Sequence, residues 1–258
     1  MEVPAAPVIT LTTDFGLSDA YVGIMKGVIL SRCPQATIID ISHDVPPQEI
    51  RAAAYLTETS WRYFPAGTVH VVVVDPGVGN ERKILAAKIG SRRFLAPDNG
   101  VLTSILNLGA DEVFSVENEE YFLNPVSQTF HGRDIFAPVA AELANGTGIS
   151  ALGPRLEKWI TVEIAQPSTD EDGRVTGEVI YIDSFGNLIT NIEAESVSQD
   201  ACIEVAGHQI EGLAESYAST EAGELLAIIG STGRLEISVN GGDARDSLGV
   251  DYREPVVC

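Results

Sequence analysis

The chain has 258 residues, of which 45% are hydrophobic and 21% are charged, so the composition predicts a packed globular core and excludes extensive disorder. Its 16 Lys and Arg residues against 37 Asp and Glu residues give a formal net charge of 16 − 37 = −21. A surface of this sign repels phosphate backbones and anionic lipid headgroups, so neither nucleic acid nor a membrane is an expected partner.

The cysteines and histidines give no metal-site or disulfide pattern. Cys33, Cys202 and Cys258 lack CxxC spacing, which favours a reducing compartment. No HxxxH or HExxH spacing links the four histidines, His43, His70, His131 and His208. The N-terminus has no basic region ahead of an apolar run, and no apolar stretch approaches the roughly 20 residues of a spanning helix. We therefore expect a cytoplasmic protein without a metal.

Strand and helix patterns alternate through the first half of the chain. The predicted strands are short apolar runs, and the predicted helices repeat apolar residues at helical spacing. In chain order they are strand Val8–Thr12, helix Asp19–Ser31, strand Thr37–Ile41, helix Gln48–Tyr63, strand Val69–Val74, hairpin strands Ile84–Ile89 and Arg93–Ala96, helix Val101–Leu108, strand Glu112–Val116 and helix Gly132–Asn145. This alternation predicts an α/β domain with a mostly parallel sheet and helices on both faces.

The second half has strand patterns separated by glycine-rich turns and little helical periodicity, which is typical of an all-β barrel or sandwich. The predicted strands are Arg174–Ile182, Leu188–Ile192, Ala201–Val205, Leu225–Ile229 and Leu235–Val239. We therefore predict an N-terminal α/β domain over residues 1–160, a linker over 161–172 and a smaller β-barrel domain over 173–258.

Two carboxylates follow predicted strands, where open α/β sheets bind their ligands. Asp14 and Asp75 are both suited to accept ribose hydroxyls or to close an Asx turn. Asp19 is well placed to cap the helix that follows it.

The turn after Asp75 contains Gly77 and Gly79, but it lacks the third glycine and the following helix of a dinucleotide-binding loop. A rigid turn of this kind could instead pair Asp75 with Arg82, in a catalytic or a structural ion pair. His131 lies at the start of a predicted helix beside Gly132, and a lone histidine there is either a structural hydrogen-bonding group or a catalyst.

In the β domain, Phe185 and Asn187 could supply a stacking face and an amide for an adenine edge, or form a bulged turn. Residues 230–234 could hold a carboxylate with backbone N–H groups, or form a hairpin turn.

Six motifs in this order resemble one family over nearly the whole chain, the S-adenosylmethionine (SAM) hydroxide adenosyltransferases, which are related to the fluorinase and chlorinase enzymes. The matching stretches are Thr13-Asp14-Phe15-Gly16 with Asp19, Ile41-Ser42-His43-Asp44-Val45-Pro46-Pro47, Val74-Asp75-Pro76-Gly77-Val78-Gly79 with Arg82, Ala96-Pro97-Asp98-Asn99-Gly100, Phe130-His131-Gly132-Arg133-Asp134, and Asp183-Ser184-Phe185-Gly186-Asn187 with Thr190-Asn191-Ile192.

The resemblance implies hydrolysis of SAM to adenosine and methionine, with SAM as substrate and no cofactor. It also implies a homotrimer with its sites at the subunit interfaces, between the N-domain of one subunit and the C-domain of its neighbour. Asp75, Arg82 and His131 match the set that positions the attacking water or hydroxide. Asp14 would bind the ribose hydroxyls, and Asp19 and Ser231 the methionine end. The residues expected around adenine are Phe185, Asn187 and Tyr217.

Three other activities stay open at this stage. The fluorinase-like members have Tyr at the position of Asp75 and Ser at that of Gly132, so a halogenase is the less favoured alternative. Thr232 stands where the fluorinase has Arg, which implies that the methionine carboxylate is held chiefly by backbone groups. A module that binds SAM without turnover would need no water-positioning set. A methyltransferase would release S-adenosylhomocysteine and no free adenosine.

Overall fold

The computed structural model describes residues 6–258 as two compact units, the first ending at Val162 and the second beginning at Glu163. Residues 163–172, which the sequence pattern assigned to a linker, thus belong to the second unit. The prediction about the N-terminal segment, which has no basic region ahead of an apolar run, concerns residues 1–5 in part, and these lie outside the described residues.

The first unit alternates strands with helices, as the sequence predicts. Its elements are β1 (Val8–Thr13), α1 (Tyr21–Arg32), β2 (Thr37–Ser42), α2 (Ile50–Ser60), β3 (Val69–Val73), β4 (Ile84–Ile89), β5 (Arg92–Pro97), α3 (Thr103–Asn107), β6 (Glu112–Ser115) and α4 (Ala137–Ala144). A π-helical turn, Gly132–Phe136, leads into α4.

One mixed six-stranded sheet organises this unit, in the order β2-β1-β3-β5-β4-β6. The pairs β1–β2, β1–β3 and β3–β5 are parallel, and β4 pairs antiparallel with both β5 and β6. Alternate residues of β1 and β3, such as Leu11 and Val71, share one buried cluster with Met25 of α1 and Val139 of α4. Because strands alternate faces, His70 lies on the opposite face, where its ring stacks on Phe94.

The second unit is built almost entirely of antiparallel strands. Its elements are β7 (Ser168–Thr169), β8 (Val175–Ile182), β9 (Leu188–Glu193), β10 (Cys202–Val205), β11 (His208–Glu211), β12 (Leu225–Ile229), β13 (Arg234–Val239), α5 (Ala244–Leu248) and β14 (Pro255–Val257). The strand order is β11-β10-β14-β8-β9-β13-β12, with β7 paired to β8. A bridge between Leu213 and Ala227 joins the two ends of this order, so the sheet is nearly closed into a barrel.

The fold class predicted from the sequence is confirmed, with additions. The pattern missed β7, β11, β14 and α5, which are short and have little periodicity. It was wrong on the cap of α1, because Ala20 occupies the N-cap position and no side chain caps the helix there. Within residues 6–258, no helix is long and apolar enough to cross a membrane.

Candidate active site

Arg82 joins Asp75 and His131 into one cluster. Its Nε donates to both carboxylate oxygens of Asp75, at 3.0 Å to Oδ1 and 2.8 Å to Oδ2. Its Nη2 donates to Asp75 Oδ2 and also lies 2.8 Å from Nδ1 of His131. The Asp75 and Arg82 side chains are only 5% and 11% exposed, so solvent screens this pair weakly.

The contact with Arg82 fixes which nitrogen of His131 carries a proton. A guanidinium has only donors, so Nδ1 must accept, and a neutral imidazole then carries its hydrogen on Nε2. Burial, followed by the charge of Arg82, lowers the pKa of His131, while Asp75 and Asp134 act in the opposite direction. The lowered pKa favours the neutral ring, and in that ring Nε2 is the nitrogen that can donate.

The position of Asp75 follows from the end of β3. Val74 is buried just beyond that strand, and its carbonyl accepts a hydrogen bond from Asn99 Nδ2 at 2.8 Å. The amide oxygen of Asn99 accepts in turn from the Val101 N–H at 3.1 Å. Asn99 thus ties the β3–Asp75 junction to the turn after β5 and restricts where the carboxylate can lie.

Gly79 lets the Asp75–Arg82 turn approach the segment before His131. It has φ +80°, and a Cβ placed there would lie 2.3 Å from the backbone oxygen of Gln128. No side chain fits at that distance, so a glycine is required for both reasons. The close approach of the two segments is what allows Arg82 to reach His131.

His131 occupies the N-cap position of the π-helical turn that leads into α4, without a capping hydrogen bond from its side chain. π-Helical turns are rare in proteins, and those that occur are often found at functional sites. The neighbouring Asp134 is buried, and its carboxylate accepts from the Ser127 N–H at 2.8 Å and from Arg133 Nε at 2.6 Å. These contacts, reinforced by the Arg133 charge, lower the pKa of Asp134 despite the opposing effect of burial. Asp134 thus fixes the loop before His131 and adds a negative charge beside it.

The space beside Gly132 is filled. A Cβ there would lie 3.1 Å from Met25 Sδ, 3.1 Å from a ring carbon of Phe130 and 3.3 Å from a ring carbon of Phe15. Contacts this short require the neighbours to move. The chain therefore offers no hydroxyl at this position and little room for one.

Asp14 lies on a braced turn at the end of β1. Its Oδ2 accepts from the Gln48 N–H at 2.9 Å, while Thr13 Oγ1 lies 2.8 Å from His43 Nδ1. His43 is buried and its Nε2 lies 3.0 Å from Asp40, which also accepts from Lys26. This chain of contacts holds the turn rigid. Asp19 is exposed in the loop before α1.

In the second unit, the turn between β8 and β9 is organised by Asp183. Its Oδ1 accepts from the backbone N–H groups of Phe185 and Asn187, both at 2.9 Å, and its Oδ2 accepts from the Asn187 side-chain amide at 2.9 Å. The Phe185 ring is left 73% exposed, whereas Asn187 is buried. The turn thus presents an aromatic face and holds the amide of Asn187 against Asp183.

Ser231 and Tyr217 also belong to the second unit. Ser231 is exposed in a hairpin turn between β12 and β13, which is closed by the Gly230 and Arg234 backbones. Tyr217 is half exposed, and its hydroxyl donates to Glu236 Oε1 at 2.6 Å.

The structure therefore brings Asp75, Arg82 and His131 into direct contact. The other predicted residues fall into a group in the first unit, Asp14 and Asp19, and a group in the second, Phe185, Asn187, Tyr217 and Ser231. The sequence reasoning gave no role to Asn99, Asp134 or Glu236. Asn99 and Asp134 both lie within motifs that carry the family resemblance, which was a usable signal, whereas Glu236 lies in an ordinary strand pattern.

Both units match profiles of one family. The SAM hydroxide adenosyltransferase N-terminal domain matches residues 9–153, and the C-terminal domain of the same family matches residues 177–257.

Relatives and solved structures agree with this match. The chain is 38% identical to the (R)-S-adenosyl-L-methionine hydrolase of Salinispora arenicola over 95% of each chain. It is 36% identical to the hydrolase of the same name from Thermus thermophilus over 95% of this chain and 96% of the other. A fluorinase of an Actinoplanes species is 31% identical over 72% of each chain. The crystal structure of an uncharacterized conserved protein from Thermotoga maritima superimposes with a TM-score of 0.90, at 40% identity over 96% of this chain and 98% of that one.

Proposed function

The chain belongs to the SAM hydroxide adenosyltransferase family, and from that premise we propose that it is a hydrolase that converts S-adenosyl-L-methionine and water into adenosine and L-methionine. The relatives at 36–38% identity are named for the (R) epimer at sulfur, and we extend that preference to this protein.

The bridging of Asp75 and His131 by Arg82 is the observation that carries this proposal. Water is a poor nucleophile, so the demand on the protein falls on the attacking oxygen. The leaving group departs as a neutral thioether and needs no acid. A buried carboxylate, guanidinium and imidazole in contact are suited to hold a water in line with the C5′–S bond and to stabilise hydroxide character on it.

In the proposed step, the water oxygen forms a bond to C5′ of the ribose while the C5′–S bond breaks and its electron pair stays on sulfur. His131 donates from Nε2 to the attacking oxygen, because its Nδ1 is occupied by Arg82. The carboxylate of Asp75 accepts the released proton, since it is the only member of the three with acceptor capacity left in this tautomer. Arg82 holds both partners in place.

The substrate contacts are proposed from the family resemblance. Asp14 binds the ribose hydroxyls, and Asp19 and Ser231 hold the methionine end. Phe185, Asn187 and Tyr217 surround adenine. The braced turn at Asp14 presents a preorganised carboxylate at low entropic cost, and the Phe185 ring is exposed and accessible to a ligand, which supports these two roles.

We propose further that the protein works as a homotrimer with its sites at subunit interfaces, without metal or cofactor, in a reducing cytoplasm. Large exposed apolar side chains near the start of α1, Leu17, Tyr21 and Ile24, favour association. Sedimentation analysis tests the trimer, and turnover in the presence of a chelator tests the independence from metal.

A halogenase is disfavoured by two features of the site. The carboxylate of Asp75 repels an anion, and Gly132 lies in a filled space with no hydroxyl to donate to a halide. A module that only binds SAM is disfavoured by the buried cluster itself, because binding needs no group that activates water.

The decisive experiment is incubation of the purified protein with each epimer of SAM, in ordinary water and in water enriched in heavy oxygen, followed by mass analysis. We expect adenosine with the heavy atom at its 5′ oxygen, equimolar methionine, and loss of turnover in Asp75→Asn and His131→Ala. Arg155→Lys, an exposed change in the same unit, is the control. Failure to form adenosine, or its appearance only with halide as a halogenated product, would overturn the proposal.

A further inference from the structure

Glu236 is a buried carboxylate on a strand face where folding alone favours an apolar residue. It is 7% exposed, and its partners in the ladder on either side are Ile189 of β9 and Ile228 of β12. Residues directly opposite each other in a sheet share a face, so this carboxylate lies between two isoleucines. Burial of a charged group in such a setting is costly unless hydrogen bonds satisfy it.

Two hydroxyl groups satisfy one oxygen of Glu236. Tyr217 Oη donates to Oε1 at 2.6 Å, and Ser238 Oγ donates to the same atom at 3.0 Å. The other oxygen, Oε2, faces Gly230, where a Cβ would lie only 2.6 Å from it. Glu236 therefore connects Tyr217 with the turn that carries Ser231.

Tyr217 is held at two points. Its backbone begins a short helical turn with a capping box, in which the Ser216 N–H donates to Ser219 Oγ at 3.1 Å. Its hydroxyl is held by Glu236, yet the residue is 45% exposed, so much of the ring remains accessible. Burial and the hydrogen bond to Glu236, together with the charges of Glu236 and Asp183, raise the pKa of the Tyr217 phenol.

A second exposed aromatic residue, Phe185, is held through its backbone by Asp183. Asp183 acts electrostatically on Tyr217, and its carboxylate also accepts from the backbone N–H of Phe185, whose ring is exposed. Two accessible aromatic rings on segments that both interact with one carboxylate suit a flat aromatic ligand such as a purine.

We propose that Glu236 is a positioning residue for the substrate, which fixes the Tyr217 ring so that its exposed face receives the adenine base. This inference rests on the proposed hydrolysis of SAM. A tyrosine anchored only through its backbone would sample several rotamers and would lose that freedom on binding. A ring fixed in advance by its hydroxyl avoids this entropic loss.

The test compares Glu236→Leu, Glu236→Gln and Tyr217→Phe, with Glu171→Gln as an exposed control in the same unit. Glu236→Leu removes the acceptor, and we expect KM for SAM and the Kd for adenosine to rise about tenfold while kcat changes less than about twofold. Glu236→Gln keeps an amide oxygen that accepts the Tyr217 hydrogen bond and should recover most of the loss. Tyr217→Phe should match Glu236→Leu, and it provides the same test if the leucine variant does not fold.

An ultraviolet titration of the tyrosines gives a readout independent of turnover. Of the 7 tyrosines, one should titrate at lower pH in Glu236→Leu than in the unaltered protein. Unchanged KM and Kd in Glu236→Leu would overturn the inference. So would a glutamine variant as impaired as the leucine variant, because the charge and not the position of Tyr217 would then matter. If the unaltered protein fails to hydrolyse SAM, the proposed function fails, while adenosine binding and the phenol titration still decide the role of Glu236.

Discussion

Replacement of Arg82 by lysine tests whether the geometry of the cluster, and not its charge alone, drives catalysis. Arg82 contacts Asp75 through Nε and Nη2, and it contacts His131 through Nη2 as well. A lysine ammonium keeps the charge but has no planar fork, so it cannot span both partners. We expect one bond to the carboxylate and the bond to the imidazole to be lost.

The size of the effect follows from these two contacts. A hydrogen bond to a charged group contributes about 1.5–3 kcal/mol and a bond to a neutral acceptor about 0.5–1.5 kcal/mol. Their loss raises the barrier by about 2–4.5 kcal/mol, which corresponds to a fall of about 30- to 2,000-fold in kcat/KM.

The assay is steady-state release of adenosine, with thermal unfolding measured on each variant to confirm an intact fold. The variant Arg82→Met tests the direction in which the Arg82 charge shifts the pKa of His131. Without the Arg82 charge, the negative charges of Asp75 and Asp134 raise the pKa of His131. Because the neutral and the protonated ring can both donate from Nε2, the pKa itself is the readout, and an NMR titration of His131 should give a higher pKa in Arg82→Met than in the unaltered protein. A lysine variant within threefold of the unaltered enzyme, or a His131 pKa that does not rise in Arg82→Met, would refute the reasoning.

Two further outcomes are expected. Gly132→Ser should form no halogenated adenosine in chloride and should lose about 1–3 kcal/mol of stability, because the serine side chain collides with Met25 and Phe130. Product analysis and thermal unfolding measure the two effects. A halogenated product from a variant of undiminished stability would contradict the prediction. Burial holds the pKa of His70 at about 4, against an ordinary value of 6.5. The neutral ring therefore contributes about 3 kcal/mol to the free energy of unfolding; this contribution is fully present above pH 6.5 and is lost as the pH falls toward 4. Denaturant titrations across this range should show a shallower dependence on pH in His70→Gln, and equal slopes in the two proteins would rule out His70 as the cause.

The contact between Asp75 and Arg82 could be predicted because the two residues lie in one short motif at the end of a strand. Asp75 follows a strand that is apolar except for His70, and Arg82 is only seven positions further along the chain, so local turn geometry brings them together. His131 is 49 positions beyond Arg82, and nothing local determines its distance from it. Its place in the cluster came from the family resemblance, and its contact with Arg82 came from the structure.

The amino-acid sequence by itself determined that the first half of the chain is α/β and the second half all-β. The spacing of hydrophobic residues differs between a helix and a strand that each bury one face, so it indicates which element forms. The sequence also determined the motifs that carry the family resemblance. Only the tertiary structure decided the tautomer of His131, the filled space at Gly132, and the link between Glu236 and Tyr217. Each of these depends on which side chains meet across long separations in the chain, 107 residues between Met25 and Gly132 and 19 between Tyr217 and Glu236. Such meetings are set by strand register and close packing, which a local pattern does not record.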